Sequence, residues 1–156
     1  MRRASALVVA AALSLGAVAC GRSYAVAAAP GFVAIDKEQG PYQWRAVAPD
    51  GVAVAVRVVP LDDRADLPFW THAVTLRMRE SEGYALVGQR DVRSRDGTPG
   101  TELVFGHDES GKPFVYRVRL FLGKKNLYVV EAGGTKDQMA RYEASVDWML
   151  GSMKLL

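Results

Sequence analysis

The chain is predicted to fold as an α+β domain, an antiparallel sheet of about six to seven strands, ending in a four-strand meander and packed with two main helices. Three observations carry this prediction. The stretch from Tyr84 to Gly133 reads as strand-like runs joined by short turns. Val52, Val54, Val56 and Val58 alternate with Ala53, Ala55 and Arg57, the period of two expected of a strand inside the sheet. Two stretches, one after Asp66 and one after Thr135, repeat their apolar residues at helical spacing instead.

Taken in order, the chain opens on "MRRASALVVAAALSLGAVA": two arginines, an apolar run from Ala6 to Ala19, and small residues at its end. That run is about 14 residues long, and a bilayer-spanning helix needs ~20, so residues 1–19 read as a secretory signal peptide and stand outside the fold. No later apolar run has spanning length. Residues 20–30, beginning at Cys20 and continuing "GRSYAVAAAP", read as a flexible tether with few core anchors, which leaves 31–156 as a single domain.

Within that domain "FVAIDK" and "PYQWRAVA" flank the turn-like "EQGP", a first hairpin. "PDG" at Pro49–Gly51 is a second turn, because Gly tolerates positive φ. Asp66 can cap the first helix, Pro68 fits its first turn and Gly83 can end it. Leu67, Trp70, Val74 and Met78, with Ala73 beside them, form its inward face, while Arg77, Arg79, Glu80 and Glu82 form the solvated one. The strands "YALVGQRDVRS", "TELVFGH", "PFVYRVRLFL" and "LYVVEAG" follow, and connections this short require antiparallel neighbours. In the third of them Phe114, Tyr116, Val118, Leu120 and Leu122 share one face, and Arg117 and Arg119 point the other way. Thr135 and Gln138 make a capping box for a closing helix whose Met139, Tyr142, Val146, Met149 and Met153 dock on the sheet.

Composition narrows the function classes. The net charge of +3 includes Arg2 and Arg3, and the part after residue 19 holds 18 basic and 17 acidic side chains. So even a charge balance lacks the concentrated basic patch that nucleic-acid binding needs. One cysteine excludes an intramolecular disulfide and a thiolate zinc site. No GxSxG elbow, HExxH, Walker or dinucleotide motif is present, and no cofactor is expected. His72 falls on the first helix and His107 in "GHDESG" beside Asp108 and Glu109, a solvated loop by its composition. The acid pairs Asp62–Asp63 and Glu80/Glu82 suit a helix entry and a wet helix face, and Gly133–Gly134 before Thr135 reads as a turn. Trp44, Trp70 and Trp148 stand at core spacings. Glu102, Arg117 and Arg119, with Arg93 and Gln89 near them, share one sheet side: cross-strand charge pairs on a wet face, or a recognition surface if helices leave that face open.

Two resemblances add to this reading. "GAVAC" resembles the lipobox of bacterial lipoproteins, with Ala17 where that family most often has Leu. The resemblance implies a diacylglyceryl group on the Cys20 thiol, cleavage before it and acylation of the new amine. Several chains are needed because each buried CH₂ contributes ~0.8 kcal/mol and a single chain binds marginally. The other reading is ordinary cleavage after Ala17-Val18-Ala19, or further on in "YAVAAAP", with the cysteine incidental; a sole cysteine at this position favours lipidation. Gly21, where Asp would signal inner-membrane retention, points to the outer membrane.

The second resemblance covers 31–156 and rests on "PYQWRAVAPDGV", the helix ending at Gly83, "GKPFVYRVRLFLGKKNLYVVEAGG" and "SVDWMLGSMKLL". It is to the PsbP-like fold, shared by photosystem II extrinsic proteins, Ran-binding Mog proteins and DcrB-type bacterial lipoproteins. It implies a non-catalytic protein. The expectation is therefore a periplasmic lipoprotein anchored in the bilayer through acylated Cys20, binding or stabilising an envelope protein. The alternative is a carrier of a small or lipidic ligand in a cleft between sheet and helices. A hydrolase around His107 is a third reading.

Overall fold

The computed structural model describes residues 21–35, 40–61 and 65–156; the expected signal peptide, Cys20 and the pair Asp62–Asp63 lie outside them. In chain order the elements are β1 (Tyr24–Ala25), β2 (Val33–Ile35), β3 (Trp44–Val47), β4 (Ala53–Pro60), α1 (Leu67–Glu80), β5 (Ala85–Arg93), β6 (Pro99–Glu109), β7 (Lys112–Leu122), β8 (Asn126–Thr135), α2 (Lys136–Arg141), α3 (Glu143–Gly151) and β9 (Lys154–Leu155). Among the described residues seven strands form one antiparallel sheet in the order β2-β3-β4-β8-β7-β6-β5. The α+β class, the meander and the interior place of the valine-rich strand β4 all match expectation.

The strand period of two sorts the sheet into two faces. Val54 and Val56 of β4, with Val130 and Ala132 of β8, point to the face covered by α2 and α3, where Met139, Val146, Met149, Leu150 and Met153 are buried with them. Leu127 and Val129 of β8, Val118 and Leu120 of β7, and Leu103 and Phe105 of β6 point to the other face, under α1. Asp66 caps α1 by accepting from the Phe69 N–H at 2.9 Å. Thr135 and Gln138 form the expected capping box of α2.

Four expectations are corrected. The closing helix is two, because Tyr142 leaves helical geometry (φ −102°, ψ 12°) between α2 and α3. Trp148 is 53% exposed: the inward stripe of α3 is Val146, Met149 and Leu150, and Trp148 falls off it. Gly133 and Gly134 belong to β8 and not to a turn. A side chain at Gly133 would bring its Cβ to 2.8 Å from the Tyr116 ring, so glycine here lets two strands and an aromatic ring close up.

The fourth correction concerns the tether. Tyr24 pairs with Leu155 and Ala25 with Lys154, so β1 and β9 make a small antiparallel ribbon. Tyr24, Ala29 and Phe32 are buried in the α2–α3 core, and Phe32 meets the Tyr142 ring edge-on at 5.3 Å. Small residues alone signal flexibility, but two buried aromatic rings, Tyr24 and Phe32, anchor this stretch. Asp96, in the β5–β6 turn, fastens this ribbon by accepting from Thr98 Oγ1 (2.6 Å), Ser94 Oγ (2.8 Å) and the Leu155 N–H (2.9 Å). The Thr98 hydrogen bond first, with those from Leu155 and Ser94, holds its pKa down to about 2 against slight burial.

Gly100 is the most crowded of the sheet's described glycines: a Cβ there would run into the Phe121 ring and the Leu120 carbonyl oxygen. Because one of these is backbone, it cannot yield by a rotamer change. Gly100→Ala should lower stability by about 1–3 kcal/mol, read as a lower urea midpoint at unchanged slope; an unchanged midpoint would show that β6 and β7 have slack.

Candidate functional site

The α1 helix covers its sheet face incompletely, and its residues explain why. Of its inward positions only Thr71 is buried; Leu67, Trp70, Ala73, Val74 and Met78 are half-buried. Thr71 and Thr75 turn their hydroxyls back onto the Leu67 and Thr71 carbonyls, each at 2.8 Å, so they spend their polarity within the helix. With small and hydroxyl-bearing side chains at these positions, a cleft of about 500 Å³ remains between helix and sheet. Its apolar wall includes Val59, Val74, Met78, Val118, Leu127 and Val129.

Polar groups converge on the same cleft. Arg57 of β4 and Glu131 of β8 are diagonal neighbours, since Arg57 is paired with Val129 and Ala55 with Glu131. Arg57 Nη2 donates to Glu131 Oε2 at 2.8 Å, and Glu131 is 3% exposed. Burial opposes the guanidinium charge, but the Glu131 carboxylate beside it raises the Arg57 pKa. Tyr42 and Tyr116 bring their hydroxyls against that carboxylate; burial first, then the Glu131 charge, pushes both phenols above their ordinary pKa. Arg57 Nε and Trp70 Nε1 are buried without a hydrogen-bond partner among the described residues. Most buried N–H groups in proteins are paired, so two unpaired donors from residues lining one cleft mark it out. A wider depression of about 740 Å³, lined by Ser23, Lys124, Lys125 and Leu156 among others, includes no such donor.

Of the residues expected to form a site, Glu102, Arg117 and Arg119 do come together, but not on a wet face. Glu102 is 1% and Arg119 7% exposed. Glu102 accepts from Arg119 Nε and from Arg117 Nη2 at 3.0 Å, and Asp147 of α3 closes over Arg117 at 2.7 Å. The third arginine is Arg90, opposite Glu102 in the β5–β6 register and 2.9 Å away, while Arg93 bonds the Gly97 carbonyl and Gln89 lies opposite Leu103. Burial pushes the Glu102 carboxyl up, but its hydrogen bond and charge contact with Arg119, then Arg117, hold it below the usual carboxylate range.

The histidines separate. His107 Nδ1 lies 2.9 Å from the Gly83 carbonyl and its ring packs on Tyr84, which pins the exit of α1 to β6. Asp108 accepts from the Gly111 N–H in its own turn, and His72 is exposed on α1. Among the described residues no group of three or more His, Asp or Glu side chains is placed to hold a metal ion. None of their helices is long and apolar enough to cross a membrane.

No protein-family model and no curated protein matches the chain. Solved structures do. Cyanobacterial PsbP (CyanoP) from Synechocystis sp. PCC 6803 superposes with a TM-score of 0.60 at 11% identity, over 86% of this chain and 87% of that one. LpqN, involved in cell envelope biogenesis of Mycobacterium tuberculosis, gives 0.67 at 10%, over 85% and 82%. The Saccharomyces cerevisiae Ran-binding protein Mog1p gives 0.59 at 12%, over 85% and 90%. The chain has the PsbP-like fold, as its hairpins and helices suggested. At such identities the likeness is one of fold.

The Glu102 cluster generates a test. A carboxyl held below its ordinary pKa stabilises the fold above the unfolded-state value, about 4.3, and that contribution disappears as pH falls through the lower folded value. Urea midpoints should therefore drop steeply below about pH 4. Glu102→Gln should cost about 3 kcal/mol at neutral pH and flatten the acid limb. An acid limb unchanged by the substitution would assign it to other carboxylates.

Proposed function

We propose that this is an exported, non-catalytic binding protein, held at the periplasmic face of the cell envelope by acylated Cys20, and that its binding site is the cleft under α1. The observation that carries the reading is the conjunction of an apolar-walled cleft of about 500 Å³ with two buried, unpartnered N–H donors and a buried Arg57–Glu131 pair. Ligand sites have this make-up: an apolar lining with a few convergent polar groups. The cleft favours the carrier reading over the protein-partner reading, for which buried Glu102 and Arg119 and half-buried Arg117 offer little exposed surface. A fold neighbour involved in cell envelope biogenesis supports the location. The lipobox-like "GAVAC" supports the anchor, Gly21 after it the outer membrane, and the lipobox together with the PsbP-like fold a DcrB-type lipoprotein. Confinement to a surface raises the local concentration of the site near membrane-derived ligands.

Two measurements test the two halves. Intact mass of the protein from its native membrane should show a mature N-terminus at Cys20 carrying several acyl chains, all lost in Cys20→Ala; an unmodified chain cut after Ala19 would sink the anchor. The uncharged dye phenylnaphthylamine should brighten on the wild-type chain, and Ala73→Phe, which fills the cleft mouth, should weaken its binding tenfold or more without moving the melting temperature. Equal binding by both would place the dye elsewhere.

A further inference from the structure

One end of the domain concentrates exposed cations. The pairs Pro60–Asn126, Leu122–Leu127 and Arg93–Pro99 bring the exit of β4, the β7–β8 turn and the β5–β6 turn to the same end of the sheet. The β1–β9 ribbon lies there too: the Met153 carbonyl accepts from the Arg95 N–H at 2.7 Å, and the Leu156 N–H donates to the Ser23 carbonyl at 3.0 Å. Around this ribbon Arg22, Arg95, Lys124, Lys125 and Lys154 are exposed. Asp96 stands among them, but its carboxylate already accepts from Ser94, Thr98 and the Leu155 N–H, and Asp66 is spent on the α1 cap. Asp62, Asp63 and Arg64, which follow Leu61 at this end, lie outside the described residues and sum to one negative charge. Leu156, 69% exposed, adds a large apolar side chain. The opposite end of the sheet has the other sign: its turns and the start of α2 carry Asp50, Asp108, Glu109 and Asp137 against Lys112 and Lys136.

Cys20 precedes the paired Tyr24 by only a few residues, so an anchor there brings this end of the domain to the bilayer. Resting on the reading that Cys20 is the anchor, we propose that the ribbon end is a membrane-contact surface for anionic phospholipid headgroups. Lys124, Lys125 and Lys154, with Arg95, meet the lipid phosphates, and Leu156 enters between the headgroups. Each exposed cation near an anionic surface strengthens binding about fivefold. The same surface repels the acidic far end, so the charges select which way the domain faces as well as holding it close.

The test is sedimentation of residues 20–156, which hold both cores, with Cys20→Ser so that no acyl chain contributes. Vesicles of mixed phosphatidylglycerol and phosphatidylcholine should carry this chain down at low salt, and vesicles of phosphatidylcholine alone should not. Salt at about 0.5 M should release it, because screening then shortens the reach of each charge to a few ångströms. The triple variant Lys124→Gln, Lys125→Gln, Lys154→Gln should bind about a hundredfold more weakly. Arg79→Gln, Lys112→Gln, Lys136→Gln removes the same charge from exposed positions towards the far end and should weaken binding about threefold at most. Both triple variants should keep the melting temperature. Equal losses in the two would overturn the assignment to the ribbon end, leaving attraction by net charge alone. Equal binding to the two kinds of vesicle would overturn the anionic-headgroup assignment. A chain that binds neither would overturn the contact surface altogether, while the intact mass of the native protein still decides the Cys20 anchor separately.

Discussion

The pairing of β4 with β8 is the constraint on which the rest of the molecule depends. Eight residue pairs, from Ala53 with Gly133 to Pro60 with Asn126, join the N-terminal hairpin to the meander. Without that ladder β2 and β3 have no sheet to extend, and the α2–α3 core, which straddles β4 and β8, loses half its floor. The same ladder brings Arg57 within reach of Glu131, 74 positions away in sequence. A contact this distant forms only after a long loop has closed, so the cleft is a product of the finished sheet.

This explains which parts of the fold were legible in the sequence. Everything decided locally was readable: the Asp66 and Thr135 caps, the valine alternation of β4, the meander, and the opposed faces of Phe114–Leu122. What depended on tertiary pairing was not. Arg57 reads as one polar residue in a valine strand and Glu131 as one acid in "LYVVEAG", and nothing in either stretch says that they meet. Arg90 was within reach: with Arg93 opposite Pro99, counting back three pairs puts it opposite Glu102. The bulge between Leu86 and Gly88 breaks that count only further along β5. Residues 21–30 misled for another reason, since "YAVAAAP" is rich in small residues and its order comes from partners at the far end of the chain.

Each face of the sheet buries one carboxylate against arginine, and the two differ in completion. Glu102 is met by Arg90, Arg117 and Arg119, and Arg117 is shared with Asp147, so the cluster binds β5, β6, β7 and α3 into one block. Its worth lies in geometry more than in net energy, because desolvating charges offsets much of their attraction. The Arg57–Glu131 pair sits under a helix that does not fully cover it, and one of its N–H groups has no partner. The first arrangement is closed and supports the fold; the second has bonding capacity left over. Burial alone does not distinguish the two arrangements; the unpaired donor does.

The ribbon of β1 and β9 would also limit how far the domain could stand from a membrane if Cys20 were acylated. Between Cys20 and the paired Tyr24 there are only three residues, a span of at most about 14 Å, comparable to the radius of gyration of about 14 Å expected for a domain of this size. Acyl chains at Cys20 would keep Tyr24 within about 14 Å of the bilayer surface. Ser23, Lys124, Lys125 and Leu156, which border one depression next to that ribbon, would then lie near it.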